Sequence, residues 1–106
     1  MSKYNDTIYA LSTPPGKSAI AVIRVSGTGA IKALKKISSI KKPKVGAANL
    51  LFIKNNKAII DQVVATYYKA PKSFTGEDVV EISCHGGQTV ISKISTTFEK
   101  LGLRLA

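Results

Sequence analysis

The sequence predicts an α+β domain, a mixed β-sheet of five to six strands with two helices, and three observations lead there. Val79–Cys84 alternates as a strand does, with Val80, Ile82 and Cys84 on one side and Glu81 and Ser83 on the other. Asn49–Lys54 and Ala58–Tyr68 are two apolar, β-branched runs meeting at Asn55-Asn56, and Asn tolerates the left-handed backbone of a tight turn, so they read as a hairpin. Two further segments, 29–40 and 88–100, space their apolar residues as one face of a helix.

In chain order, Thr7–Leu11 is a short strand ended by the turn Pro14-Pro15-Gly16, where proline withdraws a ladder donor. Ile20–Val25 is apolar on both faces apart from Arg24 and is expected to be a central strand covered on both sides. Ser26 and Thr28 are cap candidates for the first helix, Gly29 to Ile40. Its stripe is Ala30, Leu34, Ile37 and Ile40, with lysines outside and Pro43 as its stop. The loop Lys69–Gly76 follows the hairpin and leads into Val79–Cys84. The second helix, Gln88 to Lys100, aligns Val90, Ile91, Ile94, Phe98 and Leu101, and Gly102 is its C-cap. Leu103–Ala106 opens another strand at the end of the chain, the pattern expected of a fragment of something longer.

The 106 residues suffice for one domain with a modest core, and 44% apolar content argues against disorder. No apolar run approaches the roughly 20 residues of a membrane span. Met1–Asp6 has no apolar signal-peptide region. The single cysteine excludes an internal disulfide and suits a reducing compartment, so the expected location is the cytoplasm. Net charge is +10, and nine lysines with Arg24 fall between Asp6 and Asp61, densest at Lys32, Lys35, Lys36, Lys41, Lys42 and Lys44. Such a face either attracts a polyanion such as RNA or is a solvated lysine surface. Two arginines in the whole chain argue against base-specific reading, which favours bidentate guanidinium contacts.

Gly16-Lys17-Ser18 resembles the end of a phosphate-binding loop, but Leu11 stands where its first glycine belongs and Pro14 and Pro15 remove backbone donors, so that reading is rejected. Cys84 and His85 point to opposite faces of a strand and have no second Cys or His to complete a metal site. Cys84 reads as a small buried apolar residue, and His85 either caps the strand end or lines a pocket. Arg24, at the end of an apolar strand, needs an anionic or carbonyl partner: an internal salt bridge with Glu77, Asp78 or Glu81, or a ligand. Glu77 and Asp78 suit turn positions. Glu81 lies inside its strand, where a carboxylate accepts two parallel hydrogen bonds from a guanidine-like edge. No second carboxylate is spaced for acid–base work, so no catalytic residue is assigned.

Asp6-Thr7-Ile8, Thr13-Pro14-Pro15-Gly16, Ile20–Gly27 (Ile-Ala-Val-Ile-Arg-Val-Ser-Gly) and Ser73–Glu81 (Ser-Phe-Thr-Gly-Glu-Asp-Val-Val-Glu) followed by Cys84-His85-Gly86-Gly87 closely resemble, in order and spacing, the N-terminal domain of the MnmE (TrmE) family of tRNA modification GTPases. The resemblance runs from near residue 5 to the end, and Thr28–Lys72 is generic. It implies that residues 1–106 form a tetrahydrofolate-binding and dimerisation domain, similar to the folate domains of aminomethyltransferases. The carrier would be 5-formyl- or 5,10-methylene-tetrahydrofolate, held by Arg24 and Glu81. It further implies a homodimer that acts with the FAD-dependent partner MnmG (GidA) on the wobble uridine of tRNA, with no membrane. The helical and GTPase domains of the family, with their GTP, magnesium and potassium sites, have no counterpart in these residues, which read as a non-catalytic module of a hydrolase family. Two other readings stand beside it. One is a basic RNA-binding module using the Lys32–Lys44 face; the other is an aminomethyltransferase-like enzyme domain in which only Glu81 or His85 serves as acid or base.

Overall fold

The computed structural model describes residues 7–12, 20–55, 58–73 and 75–106. The turn Pro14-Pro15-Gly16, the Gly16-Lys17-Ser18 segment, Asn56 of the hairpin turn and Phe74 lie outside them. Six strands and two helices follow one another as β1 (Ile8–Leu11), β2 (Ile20–Ser26), α1 (Ala30–Ser38), β3 (Ala48–Asn55), β4 (Ala58–Tyr68), β5 (Val79–His85), α2 (Gln88–Leu101) and β6 (Arg104–Leu105). The strands form one mixed sheet in the order β3-β4-β5-β2-β1-β6, antiparallel at every named pairing except β1 with β6.

The helices cover one face of this sheet. Ala33, Leu34 and Ile37 of α1 and Ile94 and Phe98 of α2 are buried against Ile23, Val25, Ile53, Val63, Val80 and Ile82. The rings of Phe98 and Tyr9 tilt together with centroids 5.4 Å apart, seating α2 on β1. Alternation along each strand therefore decides the core, as a period of two requires. Asn49 is a buried polar residue, as are Thr7, Ser26, Ser38 and Thr97. The Asn49 amide donates to the carbonyls of Lys44, Ala47 and Ala65 and accepts the Lys44 N–H, tying the 44–47 turn to the hairpin. Among the described residues no helix is long and apolar enough to cross a membrane.

Three expectations need correction. β2 is covered on one face only: Ala21, Ile23 and Val25 are buried, while Ile20 is 60% exposed. An all-apolar strand reads the same in sequence whether its second face meets a helix or is left open. Neither Ser26 nor Thr28 caps α1. The N-cap is Gly29, whose N–H donates to the Thr7 hydroxyl at 2.9 Å, a partner supplied by the residue just before the neighbouring strand β1. The helix ends at Ser38, two residues short of the expected Ile40, because its C-cap Ser39 takes a left-handed backbone (φ 62°) with its N–H on the Lys35 carbonyl. Gly102 does cap α2, with φ 98°.

Candidate functional site

The uncovered face of the sheet carries the residues singled out in the sequence. Arg24 on β2 and Glu81 on β5 are direct partners in the antiparallel register, so their side chains emerge side by side. Arg24 Nε lies 3.5 Å from Glu81 Oε1, with the side chains 38% and 28% exposed. Of the three acids considered for Arg24, the fold delivers Glu81. Cross-strand pairing brings it there, whereas Glu77 and Asp78 are held in the preceding turn. The Asp78 carboxylate accepts the Ala70 N–H at 2.9 Å, and the Glu77 carbonyl accepts the Ser73 hydroxyl.

Beside the pair lies a recess of about 190 Å³ bounded by Ile8, Ala10, Ser12, Arg24, Ser26 and Thr75. One wall is closed by the Ser26 and Thr75 hydroxyls, 2.9 Å apart, which tie the loop to β2. Tyr9 reaches the same recess from below and donates its hydroxyl to Glu99 at 2.8 Å. Burial, and then the Glu99 carboxylate, push its phenol up to about 12. The pocket is thus mostly apolar, with Arg24 in its lining and Glu81 beside that arginine, the usual composition of a small-ligand site.

At the far end of β5, His85 both ends the strand and lines a second recess, of about 210 Å³, with Ile20, Leu50, Gln62 and Ser83. Its ring Nδ1 lies 2.7 Å from Asp61 Oδ1, and its backbone N–H donates to Asp61 Oδ2 at 2.9 Å. Both alternatives for His85 therefore hold. Asp61 went unrecognised in the sequence, because nothing local links residues 24 apart. The available signal was an acid, followed by Gln62, inside the largely apolar run Ala58–Ala65. One extra residue, Ile60, interrupts the β3–β4 register next to it. Cys84 is 3% exposed, as expected of an apolar filler, and burial, with a contribution from Asp61, raises its thiol pKa.

The open face is also unusually apolar for a surface. Leu50 is 69% exposed and Phe52 44%, with Val64 and Ile20 beside them, and a contiguous patch of that kind marks an interaction surface. Among the described residues no group of three or more metal-ligating side chains occurs.

Residues 7–106 match the family model described as the GTP-binding protein TrmE N-terminus. The tRNA modification GTPase MnmE of Fervidobacterium nodosum is 48% identical over 109 residues, covering 95% of this chain and 23% of that protein. MnmE of Thermotoga maritima is 44% identical, again over 95% of this chain and 23% of its own length. A mitochondrial tRNA modification GTPase of Schizosaccharomyces pombe is 42% identical over 92% of this chain and 20% of its own. The chain thus spans between a fifth and a quarter of the length of the curated relatives it matches.

Proposed function

The chain belongs to the TrmE N-terminal family, and from that membership we propose that residues 1–106 bind a tetrahydrofolate one-carbon carrier and pair with a second copy, as part of a longer protein that modifies tRNA. In this reading the ligand is 5-formyl- or 5,10-methylene-tetrahydrofolate, and the site is the Arg24–Glu81 pair on the open sheet face. The longer protein would work with FAD-dependent MnmG on the wobble uridine, in the cytoplasm. GTP, magnesium and potassium act in its other domains. The present residues contribute binding and positioning, not bond breaking.

One observation carries the proposal: a carboxylate and a guanidinium held side by side on the open sheet face, next to a recess. A pterin ring presents an N–H and an amino group along one edge, which matches the two oxygens of Glu81. The carbonyls and glutamate carboxylates of folate match Arg24. Turning Glu81 toward a ligand is inexpensive, because one 3.5 Å contact between partly exposed side chains is worth less than about 1 kcal/mol. A recess of about 190 Å³ is smaller than the roughly 300–1,000 Å³ of a site that encloses a drug-sized ligand, so it suits the ring end. The remainder would be covered by a second copy docked on Leu50, Phe52 and Val64, whose exposure association would relieve.

The test is calorimetric titration of this chain with 5-formyl-tetrahydrofolate, beside Arg24→Ala and Glu81→Gln, with sedimentation equilibrium of each protein. The expected result is binding by the parent, loss in both variants, and a dimer that tightens with ligand. A folded parent that neither binds folate nor self-associates would overturn the reading. Unchanged affinity in Glu81→Gln would overturn the assignment of the pterin edge.

A further inference from the structure

A recess of about 320 Å³ opens where the carboxyl ends of both helices meet the tip of the β3–β4 hairpin, and three lysines converge on it: Lys36 from α1, Lys54 from β3 and Lys100 from α2. Ser39 and Asn55 supply polar groups between them. No acidic residue lines it, and among the described residues none of the three lysines forms an ion pair. The chain's described acids are engaged elsewhere: Asp61 with His85, Glu81 with Arg24, Glu99 with the Tyr9 hydroxyl, and Asp78 with the Ala70 N–H beside Glu77.

Helix dipoles account for part of this arrangement, since a lysine in the last turn faces the partial negative charge of the terminal carbonyls. That explains Lys36 and Lys100. It does not explain Lys54, which comes from a strand and is half-buried. Three like charges around one concavity repel, and an anion held among them relieves that repulsion. The lining distinguishes this recess from the apolar ones on the sheet face, and lysine is a point-charge partner for phosphate. Around it the outer side of the helical layer continues the positive field: Lys32 and Lys35 are exposed on α1, and Lys93 lies seven residues before Lys100 on α2.

We infer that the Lys36–Lys54–Lys100 recess holds a backbone phosphate of RNA, so that RNA docks on the helical layer while the opposite sheet face serves folate and the second copy. Lysines without arginine suit a contact that positions the backbone and leaves bases unread. This deepens the RNA element of the proposed function and rests on it, but is independent of the folate site.

The experiment is fluorescence anisotropy of an unmodified, end-labelled tRNA transcript with this chain between 50 and 200 mM salt. The parent is compared with Lys36→Gln/Lys54→Gln/Lys100→Gln and with a triple of equal charge change away from the recess, Lys41→Gln/Lys42→Gln/Lys44→Gln. Removing the one phosphate contact that the three lysines share should flatten the slope of log K against log salt by about 1 and weaken binding on the order of 10-fold at 0.1 M. The control triple should lose far less. Thermal melts separate a site from a merely structural role. Relief of repulsion leaves the recess triple at least as stable as the parent, whereas lysines serving only the helix ends would leave it less stable. Equal losses in the two triples, or no tRNA binding by the parent, would overturn the inference. So would inorganic phosphate binding that the recess triple abolishes while tRNA affinity is unchanged. Folate titration of both triples, expected to match the parent, keeps failure here distinct from failure of the folate site.

Discussion

Tyr9 sits under the proposed folate recess, 2% exposed, with its hydroxyl on Glu99 and its ring on Phe98, and its removal should reverse sign with pH. In Tyr9→Phe the ring contact survives and one hydrogen bond to an exposed carboxylate is lost. At pH 7 that costs about 1 kcal/mol, because Glu99 regains water. The phenol titrates near 10.0 when unfolded and near 12 in the fold, where burial first and Glu99 second oppose the phenolate. A raised pKa on an acid that is neutral when protonated means that the folded state holds its proton longer. The associated stability is complete below pH 10 and is lost as pH rises through 12. At about 1.4 kcal/mol for each pH unit between the two values, the parent loses about 1.4 kcal/mol by pH 11, about 2.3 by pH 12, and approaches about 2.7 beyond. Tyr9→Phe loses none of this. Urea midpoints followed by circular dichroism at pH 7, 9, 10, 11 and 12 should therefore show the parent ahead at neutral pH and the curves crossing between pH 10 and 11. Phenylalanine should then lead by about 1 kcal/mol at pH 12. Tyr67, also raised by burial, is common to both proteins and cancels in the difference. A constant gap across the whole range would refute the account of a buried phenol held neutral.

Three further outcomes follow from single contacts. Ser39→Gly should stabilise the domain by roughly 0.5–1 kcal/mol in urea denaturation, because φ 62° is strained for serine and free for glycine. Phe98→Ala, at a fully buried position against Tyr9, should cost about 3–5 kcal/mol and leave a protein of this size near its unfolding threshold at 37 °C. Cys84, buried and with its thiol pKa raised, should resist iodoacetamide at pH 7.5 in the folded protein and react at the rate of a free thiol in 8 M urea.

Local order was legible in the sequence because it follows from periodicity and from backbone chemistry. Alternation through Val79–Cys84 placed Glu81 opposite the core face, hydrophobic spacing drew both helices, and Gly102 marked the end of α2, since each depends on neighbours within a few residues. Arg24 and Glu81 stood out for the same reason, as charges inside apolar strands. Other features belong to the tertiary structure alone. That β2 lies between β5 and β1, and so sets Arg24 against Glu81 across 57 residues of chain, is a matter of strand order that no local pattern encodes. The Thr7 hydroxyl on the Gly29 N–H, Asp61 holding His85, and three lysines from two helices and a strand meeting at one recess are likewise contacts between distant segments. The open side of β2 was the hardest to read: an apolar side chain has the same sequence signature whether it faces a helix or a partner, and only the placement of both helices on one side of the sheet decides between them.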